Sequence, residues 1–128
     1  MLTQRAVVAV IDDNPEIVDA IDSLLSAHGY GTELYASAEA FREAASKSQA
    51  VCLIVDVQLG DSCGIDLIRE LLKTGFNFPV IYITGIDNEP AKRSAEEIGC
   101  VAFLRKPFPA ADLITSVVEA INPQRSTA

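Results

Sequence analysis

Five short apolar, β-rich runs recur along the chain, and each is followed by a stretch with helical periodicity. This alternation limits the fold more than any other feature. Residues 6–11 (AVVAVI) form an unbroken apolar run, the pattern of a strand buried on both faces. Residues 51–55 (VCLIV), 79–83 (PVIYI) and 101–104 (VAFL) repeat it, while 32–36 (TELYA) are a weaker version, predicted nearer a sheet edge. Asn14 and Pro15 read as N-cap and first position of a helix whose Ile17, Ile21, Leu24 and Leu25 share one face, ended by Gly29 or Gly31. Ser37 is placed to cap a second helix with Ala40, Phe41 and Ala44 inward. Residues 64–73 form a third helix with Ile65, Ile68, Leu71 and Leu72 apolar. Residues 88–99 form a fourth, thin in apolar residues: Ala91, Ala95 and Ile98. Residues 110–121 form a fifth, with Leu113, Ile114, Val117, Val118 and Ile121 inward. The alternation predicts an α/β fold: a flavodoxin-like (βα)5 three-layer sandwich around a parallel sheet of order 2-1-3-4-5.

A chain of 128 residues, 49% hydrophobic and 22% charged, is long and apolar enough for one cored domain, expected over 1–122 with 123–128 as a polar tail or linker remnant. Eighteen acidic against ten basic residues leave a net charge of −8. That balance argues against direct nucleic-acid binding by this domain and against an anionic membrane surface, and favours a cation or a basic partner. No run is long enough to span a bilayer, and the first apolar run is too short for a signal peptide. The three cysteines, Cys52, Cys63 and Cys100, lack metal-type spacing and read as reduced thiols of a cytoplasmic protein, with Cys52 and Cys100 as small core residues. His28 precedes Gly29 at a predicted helix end and reads as a helix-terminal or surface residue.

In sheets of this kind, sites form beyond the carboxyl ends of the strands, near the switch point between strands 1 and 3. Asp12 and Asp13 end the first run, Asp56 the third and Thr84 the fourth, and Lys106 follows the fifth. Each alone has an ordinary reading as a turn former, cap or surface residue. Together, three converging carboxylates call for a hard divalent cation with oxygen ligands. Lys106 adds an ammonium and Thr84 a hydroxyl, so the set is suited to hold a phosphoryl group beside an attacking carboxylate.

These residues resemble the receiver domain of two-component response regulators, the CheY-like fold, over nearly the whole chain. The motifs are VIDDN, LIVDVQLGDSCGIDLI, VIYITG and AFLRKPF, and YASAEAF with YITG leans toward the FixJ-type branch. The resemblance implies a signalling domain rather than an enzyme with turnover. Asp56 would accept a phosphoryl group from a sensor histidine kinase. Asp13 would ligate Mg2+ directly and Asp12 largely through water, with Asp56 and the backbone carbonyl of Gln58 completing the metal site. Thr84 and Lys106 would contact the phosphoryl oxygens, and Thr84 and Phe103 would form the switch. The Lys106–Pro107 bond is usually cis in this family. The fourth helix, fifth strand and fifth helix would form the output face toward a downstream output domain or effector, and the resemblance allows a phosphorylation-dependent homodimer. It implies either a stand-alone receiver or the N-terminal part of a transcriptional regulator.

The sequence departs from that pattern in two places. Gly60 stands where the family usually has proline, which predicts a looser loop. Phe103 lacks the hydroxyl of the commoner tyrosine. Gln58 and Ile86 fall at the positions flanking the path of a hydrolytic water. The branched Ile86 is expected to exclude that water and lengthen the life of the acyl phosphate.

Other readings remain open at this level. A phosphatase of haloacid dehalogenase type also uses Asp, Mg2+, Thr or Ser, and Lys. It needs a second acid where Gln58 stands, and its acidic pair follows the nucleophile. A flavodoxin needs a phosphate loop where DDNPE presents carboxylates. A receiver that is never phosphorylated would not need the complete acidic pocket.

Overall fold

The computed structural model describes residues 5–85 and 87–122. The chain builds β1 (Val7–Ile11), α1 (Pro15–Ala27), β2 (Gly31–Tyr35), α2 (Ala38–Ala44), a single 3-10 turn (Ala45–Lys47), β3 (Ala50–Asp56), β4 (Gln58–Leu59), β5 (Ser62–Cys63), α3 (Gly64–Leu72), β6 (Val80–Thr84), α4 (Glu89–Ile98), β7 (Ala102–Arg105) and α5 (Ala110–Ile121). The main sheet is parallel, in the order β2-β1-β3-β6-β7. With the two-residue strands β4 and β5 set aside, this is the expected 2-1-3-4-5 order, and the weakest apolar run does lie at an edge.

Alternation along the strands divides the core into two layers. Ala9, Ile11, Leu53, Val55, Val80 and Tyr82 pack against α2, α3 and α4. Val8, Val10, Cys52, Ile54, Ile81 and Ile83 pack against α1 and α5. Each large apolar side chain buried in this way contributes about 1.5–3 kcal/mol. By that measure the helices are anchored unequally. In α3, Gly64, Ile65, Leu67, Ile68 and Leu71 are buried, whereas in α4 only Ala95 is. The helix with the fewest anchors therefore lies beside β7, at the edge away from β2.

The local stops follow from side-chain chemistry. The Asn14 side chain accepts from Glu16 N at 3.0 Å, with Pro15 at the first helical position. Ser37 Oγ accepts from Ala40 N at 3.1 Å and Asn88 Oδ1 from Ala91 N at 3.0 Å, starting α2 and α4. His28 is the C-cap of α1, and its Nδ1 lies 3.0 Å from the Leu24 carbonyl.

Three details differ from the sequence reading. In α2 it is Ala38 that is buried beside Phe41, while Ala40 and Ala44 are half-buried. Cys52 is a core residue, but Cys100 is only half-buried, since it sits in the turn before β7 rather than on the strand. The segment around Gly60, read from the sequence as a loop, forms a short hairpin in which Gln58 pairs with Cys63 and Leu59 with Ser62. Gly60 has φ +61° and no non-glycine residue among the described residues has positive φ, so Gly60–Asp61 carries the pattern of a type II′ turn, with glycine first. The tail 123–128 lies outside the described residues.

Candidate phosphoryl and metal site

Asp12, Asp13, Asp56, Thr84 and Lys106 all stand at the carboxyl edge of the sheet, and the parallel register explains why. β1 and β3 are adjacent, with Ile11 opposite Val55, so the residues that follow lie side by side. β3 and β6 pair Asp56 with Ile83, and β6 and β7 pair Thr84 with Arg105, which sets Lys106 just beyond the edge.

The three carboxylates each offer an oxygen within 4.8 Å of the others. Asp12 is fully buried. Its Oδ1 accepts from Asn14 N at 2.9 Å, and its Oδ2 accepts from Lys106 Nζ at 3.1 Å. Asp56, 5% exposed, accepts from Gln58 N at Oδ1 (3.1 Å) and from Lys106 Nζ at Oδ2 (3.2 Å). One ammonium thus bridges two buried carboxylates. Asp13 lies on the exposed rim, and its Oδ2 accepts from Gly60 N at 3.0 Å. A cavity of about 320 Å3 opens over the group, lined by Asp13, Asn14, Asp56, Gln58, Gly60, Gly85 and Lys106.

Burial pushes the Asp56 carboxyl above its ordinary range. The Gln58 N–H opposes that rise, the Asp12 charge adds to it, and Lys106 opposes it again. For Lys106 burial works downward, but the hydrogen bond to Asp12 and the charges of Asp56 and Asp12 outweigh it and hold the ammonium above its usual value. The two shifts have different leading causes: burial raises Asp56, whereas its partners Asp12 and Asp56 raise Lys106. All the donors are hard oxygens, so the set matches a hard divalent cation such as Mg2+.

Thr84 is buried, and its carbonyl accepts from Lys106 N at 2.7 Å, which ties the end of β6 to the lysine. Phe103 is half-buried on β7, directly opposite Tyr82 in the sheet, with ring centroids 6.3 Å apart. The Lys106–Pro107 bond is cis. Gln58 is exposed on the hairpin, and Ile86 lies outside the described residues.

Two features of the site were not read from the sequence. One is the Gly60 N–H. Its available signal was the Gly-Asp dipeptide between short polar–apolar pairs, a two-residue turn marker. The other is Gly64, whose N–H donates to Val57 O at 2.7 Å. A Cβ at Gly64 would overlap the Asp56 carbonyl oxygen and stand 2.7 Å from Val55 Cγ1. The start of α3 therefore rests on the backbone of Asp56 itself.

Residues 8–118 match the family model described as the response regulator receiver domain. The chain belongs to that family. This receiver domain is 31% identical to the response regulator protein TodT of Pseudomonas putida over 100% of its own length and 58% of TodT. It is 31% identical to the transcriptional regulatory protein FixJ of Bradyrhizobium diazoefficiens over 99% of its own length and 62% of FixJ. It therefore spans a little over half the length of these curated relatives. Among solved structures, the crystal structure of FixJ-N is 30% identical, with a TM-score of 0.84 over 94% of this chain and 96% of that one. A CheY-like receiver domain from Methanospirillum hungatei shares the fold at a TM-score of 0.87 and 22% identity, over 98% of this chain and 100% of the other. Membership sets aside the dehalogenase-type phosphatase and flavodoxin readings and places the domain in two-component signalling. In such systems sensor kinases and output domains are the general partners. No helix among the described residues is long and apolar enough to cross a membrane.

Proposed function

We propose that Asp56 is the phosphoacceptor of this receiver domain and that the domain spans residues 1–122. The observation that carries the reading is the placement of Asp56. A buried carboxylate is bridged by Lys106 to Asp12 and faces the cavity that Asp13 rims. A carboxylate oxygen of Asp56 attacks the phosphorus of a phosphohistidine on a sensor histidine kinase. The P–O bond forms as the P–N bond breaks, and the histidine leaves with the electron pair. Burial makes the Asp56 carboxylate a stronger base, and the Lys106 ammonium compensates the charge that gathers on the phosphoryl oxygens. Mg2+ held by Asp12, Asp13, Asp56 and the Gln58 carbonyl would neutralise those oxygens further. The domain turns over no substrate beyond its own phosphorylation and dephosphorylation.

Thr84 and Lys106 are assigned to the phosphoryl oxygens, and Thr84 with Phe103 to the response. Thr84 sits at the end of β6 next to the site, and Phe103 packs on the neighbouring strand beside thinly anchored α4. A two-state change there would alter the face made by α4, β7 and α5, where an output domain, an effector or a second phosphorylated copy binds.

The test is intact mass after incubation with Mg2+ and a small acyl phosphate. One added phosphoryl group on the wild type and none on Asp56→Asn is expected. Labelling of Asp56→Asn at the wild-type rate refutes the acceptor.

A further inference from the structure

We propose that the backbone N–H of Gly60 is a positioning group for Asp13, holding that exposed carboxylate in place for the divalent cation. The inference rests on the metal site proposed above. Asp12 and Asp56 are buried, and each is fixed by a backbone N–H and by Lys106. Asp13 stands on the rim, where an unheld carboxylate would sample several rotamers. The Gly60 N–H, 47 residues away in the chain, reaches its Oδ2 at 3.0 Å. A carboxylate has lone pairs for both a donor and a cation, so this bond leaves Oδ1 available as a ligand. Such outer partners orient first ligands and tune affinity for the metal.

The hairpin sets where that N–H points. Gly60 is the first turn residue of the β4–β5 hairpin, and its φ of +61° is a conformation that L side chains rarely adopt. Space is not the reason for glycine, since a Cβ there would meet only Asp13 Oδ2, at 3.9 Å. The backbone angle is. Two further bonds secure the hairpin: Gln58 N donates to Asp56 Oδ1 at 3.1 Å, and Gly64 N to Val57 O at 2.7 Å. The same short segment thus grips two of the three carboxylates through its own N–H groups, so its conformation and the geometry of the ligands are one structure.

The test has a metal-free arm and a metal arm. In the metal-free wild type, the Gly60 amide is expected to be protected from hydrogen exchange and to show through-hydrogen-bond coupling to the Asp13 carboxyl carbon. Asp13→Ala should abolish both. In Mg2+ titrations, Gly60→Pro, which lacks the N–H, should weaken binding roughly tenfold, within the range for outer-partner loss. Gly60→Ala keeps the N–H, although φ resists it, and should lose much less. Equal losses in the two variants, no loss in Gly60→Pro, or an unprotected Gly60 amide in the wild type overturns the proposal. If either variant fails to fold, the wild-type amide measurement decides. Wild type that binds no Mg2+ overturns the metal site itself. Normal Mg2+ binding with an unprotected Gly60 amide overturns only the role of Gly60.

Discussion

Lys106 Nζ lies 3.2 Å from Asp56 Oδ2, joining residues 50 apart in the chain. The same nitrogen is 3.1 Å from the fully buried Asp12. Removing one partner of a buried ion pair leaves an uncompensated charge and costs about 3–5 kcal/mol. Lys106→Met is therefore expected to lower the unfolding free energy by about 3 kcal/mol in chelator. Mg2+ should restore part of that loss, because the cation neutralises the same carboxylates. Denaturant melts with and without Mg2+ check both statements. A variant as stable as wild type in chelator contradicts them.

The raised pKa of Asp56 carries a sign. Its folded value lies above the ordinary 3.8, so the folded state prefers the protonated acid, first because of burial. The stability this group contributes is complete below its unfolded pKa and is lost as pH rises through the folded pKa. At neutral pH the ionised carboxylate is a net cost. Asp56→Asn should therefore melt a few degrees higher than wild type at pH 7 in chelator. The gap should close as pH falls through the folded pKa of Asp56. A lower melting point for Asp56→Asn at pH 7 would show that its pairing with Lys106 outweighs burial.

Gly64 is the most constrained backbone position beside the site. A methyl group there meets the Asp56 carbonyl and stands 2.7 Å from Val55 Cγ1, atoms of a central strand that cannot easily move. Gly64→Ala should destabilise the fold by about 3 kcal/mol, the upper range for overpacking, and displace the start of α3. Calorimetry measures the loss. A change below about 1 kcal/mol would mean that α3 shifts freely.

Tyr82 is fully buried, and among the described residues its hydroxyl has no hydrogen-bond partner. Burial pushes its pKa up. An unpaired buried hydroxyl costs free energy, so Tyr82→Phe should leave the unfolding free energy unchanged or raise it by up to about 1 kcal/mol. A fall of that size instead would reveal a partner for the hydroxyl.

Thr84 and Phe103 should respond together to phosphorylation. Amide spectra with and without a beryllofluoride-type phosphoryl mimic are expected to shift at both residues and along α4, β7 and α5. Shifts restricted to Asp12, Asp13, Asp56 and Lys106 would remove the switch from this face.

Much of this protein is set by local pattern. Apolar runs bounded by glycine, proline and capping residues specify the order of strands and helices, because periodicity and capping act within a few residues. Right-handed crossovers then leave few topologies, and the carboxyl-edge rule collects Asp12, Asp13, Asp56, Thr84 and Lys106 at one end. Register and loop conformation decided the rest. That Lys106 bridges Asp12 and Asp56, that Tyr82 faces Phe103, and that α3 rests on the Asp56 carbonyl depend on how strands align in space. The Gly60 position shows the limit most clearly. From sequence, glycine in place of proline signified a loose loop. In the fold the same residue takes a positive φ, closes a hairpin and directs its N–H onto Asp13. Glycine's freedom and the hairpin that uses it are local properties, but the carboxylate its N–H reaches lies 47 residues away, and no local pattern encodes that partner.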